Sequence, residues 1–189
     1  NVGAGKAATY NAVAAATINA CRAAAGEPRR SVAELVTAGA ITYIPFPPMQ
    51  TLATLIFDGV LDRFPDLRIG VIEQGCSWLP SWMKQMESAI DAFGRHEERL
   101  QKLSLRPSEF VERQVRVTPY PTEDIGWVTD QVGPDILLFN TDYPHVEGGR
   151  RPFERFEKSL GEASEEVRRK FYADNFVDLM GSAVAALVT

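Results

Sequence analysis

Histidine and cysteine are scarce in this chain of 189 residues, with two of each. Cys21 and Cys76 stand far apart and match no zinc-binding spacing, so reduced thiols in a cytoplasmic protein are expected. The histidines are His96 and His145, and no His-x-His pair occurs. That excludes a histidine-rich metal centre built from these residues alone. No apolar run approaches the roughly 20 residues that a membrane-spanning helix needs. Excess positive charge is also lacking: a net charge of −5 and a pI near 5.1 argue against a nucleic-acid-binding face. Asn1–Gly5 has no basic-then-apolar leader pattern, and the first residue is not Met. A fragment or a processed piece is the expectation. No internal repeat is visible.

What is present is an ordinary globular composition, 45% apolar and 24% charged, with length enough for one sizeable core. Residues 6–25 are Ala-rich and read as a helix, ended by Gly26-Glu27-Pro28. Ser31 and Glu34 form a capping-box pattern before a short helix, and residues 40–44 read as a strand or a connector. Pro45, Pro47 and Pro48 make regular structure unexpected just after them. From Thr51 onward, helices and strands alternate. Helices are expected at 51–64, 79–95, 122–132, 152–160, from Ser164, and at 174–180; strands at 68–73, 115–120 and 136–141. Alternation of this kind means βαβ units and a parallel sheet. At most four strands fit, whereas a complete (β/α)₈ barrel takes about 250 residues. The expected fold is therefore α/β, the C-terminal portion of a TIM-like barrel.

The densest chemical signal is Ile136-Leu137-Leu138-Phe139-Asn140-Thr141-Asp142-Tyr143-Pro144-His145. A mostly apolar run of strand length stops at a carboxylate, where parallel barrels place their chemistry. The pattern resembles the last barrel strand of the amidohydrolase-related family, which includes aminocarboxymuconate-semialdehyde decarboxylase and resorcylate-type decarboxylases. Three further stretches match that family in order. Leu55–Ile69 resembles the helix-to-strand unit before strand six, Glu73-Gln74-Gly75-Cys76-Ser77-Trp78-Leu79-Pro80 the loop after it, and Asp174–Gly181 the closing helix. The resemblance covers roughly 46–181; residues 1–45 carry no clear match, and 182–189 read as a tail.

The resemblance implies a divalent metal, zinc above all, held only together with ligands from a missing N-terminal segment, with Asp142 as ligand or proton-transfer group. Family members also use a His-x-His pair and a further His, none of which is in this chain. It implies a hydrolase or a carboxy-lyase (a non-oxidative decarboxylase) acting on a small, carboxylate-bearing substrate. Activity is expected only once an N-terminal segment or a companion chain completes the metal site. A homodimer is expected, with no nucleic acid and no membrane as partner. The competing reading is a non-catalytic subunit or degenerate paralogue kept for assembly.

Each candidate residue carries a plainer alternative. Asp142 could simply cap the turn after its strand. Glu73 could transfer a proton or bind substrate, or could partner a buried Arg. His145 could contact substrate or a metal ligand, or pack under its loop. Trp78 could form an aromatic wall, while Trp82 belongs to the helix core. Arg150 and Arg151 could grip a substrate carboxylate or face solvent at a helix start. Cys76 has no neighbouring histidine to activate it and reads as a small buried residue. His96 sits in a charged stretch and is expected on a solvated helix face.

Overall fold

Three apolar segments set the architecture of this computed structural model, which describes residues 16, 19–29, 44–145, 148–181 and 184. Strand β1 (Ile69–Val71) pairs in parallel with β2 (Val115–Val117), in the register Ile69↔Val115, Gly70↔Arg116, Val71↔Val117. The third segment joins through a parallel bridge from Val117 to Leu137. There Val117 N–H donates to Ile136 O at 2.9 Å and Leu138 N–H to Val117 O at 3.0 Å. The β-branched, apolar sequences of these runs suit a sheet buried by helices. The fold is α/β, the C-terminal portion of a (β/α)₈ barrel.

The strands are shorter than the sequence suggests, and each shortening has a local cause. After β1 the backbone turns at Glu73, whose φ is +59°. Beyond β2, Pro119 has no N–H to continue the ladder. In the third segment, Phe139 N–H leaves the sheet and donates to Phe171 O at 2.8 Å. Phe171 lies in a π-helical turn, Lys170–Asp174, and such a widened turn releases a carbonyl from the helical pattern.

The chain divides into two compact units, residues 1–51 and 52–189. In the first, residues 19–24 are helical and the chain turns at Gly26, with φ +72°. Arg22 ties that turn through Glu27 at 2.8 Å and Pro28 O at 2.9 Å. The expected capping box at Ser31 and Glu34 lies outside the described residues. So does the strand-or-connector at 40–44, apart from Ile44, which is in a turn. Helix α1 (Phe46–Phe57) crosses the boundary between units. It starts earlier than its prolines suggest, because Pro47 and Pro48 fall in the first turn, where N–H groups have no helical partner anyway. It also stops sooner: Gly59, at φ +67°, breaks the expected single helix and α2 (Val60–Arg63) follows. Phe64, the last residue of the helix expected over 51–64, is past that end and exposed.

The second unit holds the βαβ units. Helix α3 (Leu79–Phe93) follows β1 and buries Trp82 and Met86. Next come α4 (Glu98–Gln101) and α5 (Pro107–Gln114), the latter leading directly into β2. Gln114, fully buried, donates to Phe64 O at 2.8 Å and Leu67 O at 3.1 Å. Helix α6 (Ile125–Val132) follows β2 and starts later than the expected 122, because Asp124 caps it by accepting from Trp127 N–H at 3.0 Å. Helices α7 (Pro152–Leu160), α8 (Glu165–Arg169) and α9 (Asn175–Met180) close the unit. Ser164 caps α8 as expected. His96 is exposed, in the turn after α3 rather than on a helix. The core centres on Ile56, Leu79, Phe110, Val117, Ile125 and Phe156, all fully buried.

Asn175 fastens the closing helix to the third strand segment. Its buried amide donates to Pro134 O at 2.8 Å and to Leu137 O at 2.7 Å. Replacing it by Ala leaves both carbonyls short of a partner. The expected cost is about 2–3 kcal/mol of unfolding free energy, read as a lower urea midpoint at unchanged slope.

Candidate functional site

The site lies at the C-terminal ends of the three parallel segments. Glu73 closes β1, Thr118 and Tyr120 follow β2, and Asp142 follows the segment around Leu137. Each carboxylate is set on an unusual backbone: Glu73 has φ +59° and Asp142 φ +56°, left-handed values that cost a non-glycine residue about 1–3 kcal/mol. Surrounding hydrogen bonds hold both. Asp142 N–H donates to Asn140 Oδ1 at 3.1 Å, and Asp142 O accepts from His145 N–H at 2.7 Å. Gly148 lets the chain close behind this turn, since a Cβ there would lie 2.3 Å from Thr141 O. The Tyr143–Pro144 peptide bond is cis.

Three of the six candidate side chains come together. His145 Nδ1 is 3.4 Å from Asp142 Oδ1 and 4.0 Å from Glu73 Oε1. Ligand atoms of Glu73, Asp142 and His145 all lie within 4.8 Å of one another. Asp142 is almost wholly buried, with 1% of its side chain exposed, against 51% for Glu73 and 53% for His145. The site is thus a buried floor with two half-open walls. Two carboxylate oxygens and one imidazole nitrogen are a donor set that suits a divalent cation.

The other three side chains have different settings. Trp78 donates its indole N–H to Gly75 O at 2.8 Å and meets Trp82 edge-on, with ring centroids 5.4 Å apart. Arg150 and Arg151 are exposed and line one groove with Glu154, Arg155 and Lys158. Arg151 Nη1 lies 3.3 Å from Glu154 Oε2. Among the described residues, no ion pair joins either arginine to Glu73 or Asp142. Cys76 is fully buried, and its thiol is pushed well above the usual range, first by burial and then by the Glu123 carboxylate. It is protonated at neutral pH and no nucleophile.

Sequence reasoning missed Thr118, Tyr120 and Glu123. Glu73 N–H donates to Thr118 Oγ1 at 2.9 Å, and Tyr120 O–H donates to Glu73 O at 2.8 Å. Glu123 accepts backbone N–H groups from Cys76, Ser77 and Tyr120. The available signal was position: polar residues just after β2 share the rim with Glu73 and Asp142.

A family model described as amidohydrolase matches residues 13–179. The chain belongs to the amidohydrolase family. The match begins well before residue 46, within the stretch that carries no clear resemblance on inspection. Among solved structures, an amidohydrolase from Mycobacterium avium subsp. paratuberculosis K-10 is similar, with 31% identity and a TM-score of 0.61 over 70% of this chain and 33% of that one. A 5-carboxyvanillate decarboxylase from Novosphingobium aromaticivorans DSM 12444, solved with manganese and a nitrobenzoic acid ligand, shares the fold. It is 23% identical, with a TM-score of 0.54 over 68% of this chain and 37% of that one. The chain therefore spans about a third of the length of these structures. Separately, a 47-residue stretch is 47% identical to an ADP-L-glycero-D-manno-heptose-6-epimerase from Thiobacillus denitrificans, covering 25% of this chain and 14% of that protein. No helix among the described residues is long and apolar enough to cross a membrane.

Proposed function

We propose that this amidohydrolase-family chain contributes Asp142, Glu73 and His145 to the divalent-metal centre, zinc by preference, of a cytoplasmic hydrolase or non-oxidative decarboxylase. The observation that carries this reading is a buried carboxylate at a strand's C-terminal end with two more donor side chains within 4.8 Å. Both cysteines are free thiols, which supports a reducing compartment. Further ligands, histidines included, come from polypeptide outside these residues, either N-terminal to them in a longer protein or on a companion chain. A second copy in a homodimer is part of the same proposal.

When bound, the metal supplies Lewis acidity for a water molecule or for a substrate oxygen. The chain's own residues handle protons and position. Asp142, buried at the floor, takes the proton from an attacking water in hydrolysis, or delivers one to the carbon that loses carbon dioxide in decarboxylation. Its burial shields that proton from exchange with bulk water. Glu73 adds a second carboxylate on the open side, and His145 bridges the two. Arg150 and Arg151, just past the Gly148–Gly149 turn, receive the carboxylate of a small substrate, and Trp78 borders its planar part.

Calorimetric titration of the chain with Zn²⁺ and with Mn²⁺ tests the centre. One cation per chain is the expected result. A chain that takes up neither cation overturns the reading.

A further inference from the structure

We propose that Glu123 is a positioning residue: its carboxylate clamps the loop after β1 to the loop after β2 and so holds Glu73 beside Asp142 and His145. This rests on the metal-centre reading above. Oε1 of Glu123 accepts N–H groups from Cys76 at 2.9 Å and Ser77 at 2.8 Å. Oε2 accepts from Cys76 at 2.9 Å and Tyr120 at 2.7 Å. One side chain thus gathers three amides from two loops, and its negative charge strengthens each bond.

The clamp reaches Glu73 through two of its neighbours. With Tyr120 N–H fixed by Glu123, the Tyr120 hydroxyl is placed to donate to Glu73 O at 2.8 Å. Thr118 Oγ1, from the same segment, takes Glu73 N–H at 2.9 Å. Glu73 N–H is therefore committed to the loop after β2, and Glu73 O is shared between that loop and the Gln74 side chain, whose Nε2 donates to it at 2.8 Å. A left-handed glutamate persists only where its surroundings over-determine it, and the Thr118 and Tyr120 bonds tie that backbone to the loop after β2. The approach is close enough to require glycine at position 75. A Cβ there would lie 2.9 Å from Glu123 Oε1 and 2.9 Å from Tyr120 Cδ2, and Gly75 itself has φ +66°. Glu123 therefore does not face the cation. It acts on the centre through the direction in which it aims the Glu73 carboxylate.

The test is a cycle of Glu123→Gln and Glu73→Gln on the full chain, titrated with Mn²⁺ by calorimetry and with Co²⁺ by visible absorption. Gln is nearly isosteric with Glu, but its NH₂ group is set against backbone N–H groups that need an acceptor. In the wild-type background, Glu123→Gln is expected to weaken Mn²⁺ affinity by about 10- to 100-fold. In the Glu73→Gln background the same change should move affinity by less than about twofold, because the side chain it aims is already disabled. The Co²⁺ spectrum of the Glu123→Gln protein should converge on that of the Glu73→Gln protein. Equal losses in both backgrounds overturn the positioning role and leave the metal centre standing. Unchanged affinity in Glu73→Gln alone removes Glu73 from the centre, and the positioning role falls with it. A wild-type chain that takes up no Mn²⁺ overturns both readings. Should Glu123→Gln fail to fold, Tyr120→Phe deletes only the hydroxyl on Glu73 O. It should weaken Mn²⁺ in the same direction, and unchanged affinity there overturns the proposal.

Discussion

Replacing Asp142 by Asn in the assembled enzyme is expected to cut turnover by about 10²- to 10⁴-fold while leaving the protein folded. Asn matches Asp in shape but has no charge and takes up no proton at neutral pH. Asp142 is the one candidate in the cluster that is almost wholly buried, so solvent cannot stand in for the missing carboxylate. Glu73, with half of its side chain exposed, can be replaced in part by water. The Glu73→Gln variant should accordingly lose less of both turnover and bound metal. Circular dichroism and thermal unfolding of Asp142→Asn should match the parent protein. If Glu73→Gln strips the metal and Asp142→Asn does not, the two roles are reversed. Full activity in Asp142→Asn removes it from the chemistry.

Much of this site was legible along the chain because barrel chemistry sits at strand ends. An apolar run that halts at an acid is a local pattern, and it points to Asp142 and Glu73 without any knowledge of packing. The helix bounds at 152–160, after Ser164 and near 180 were legible for the same reason: a capping serine, a first-turn proline and a terminal glycine act within one turn of where they stand. The prolines at 47 and 48 misled because a helix breaker and a first-turn residue are the same amino acid, and only the hydrogen-bond pattern tells them apart. The third strand was overrun because the destination of Phe139 N–H is a carbonyl in a π turn remote in sequence. Glu123 was invisible because its partner Cys76 is 47 residues away. Its role exists only once two loops share a rim. A side chain whose function is to hold another side chain leaves no local signature.

Residues 1–189 alone are expected to bind a divalent cation yet show no turnover with it. Binding needs donors, and three converge here. Catalysis also needs a closed, pre-organised environment in which charges are shielded from water. Glu73 and His145 are each about half exposed, so one side of the centre stands open to solvent. Among the described residues β1 pairs with β2 alone, and Ile72 and Leu67 beside it are exposed apolar residues. A strand edge with an apolar margin is suited to take a further strand. A segment docking there would supply the missing wall, and with it the histidine ligands absent from this sequence. Assays of the chain with Zn²⁺ or Mn²⁺ against small aromatic and aliphatic carboxylates should therefore stay at background. Turnover should appear on co-expression with a barrel segment carrying a His-x-His strand, together with a shift to a larger species in size-exclusion chromatography. Replacing Ile72 by Lys should weaken that association by charging the edge, without touching a candidate metal ligand. Turnover by the isolated chain would show that one half-open wall is enough, and would overturn the requirement for a companion.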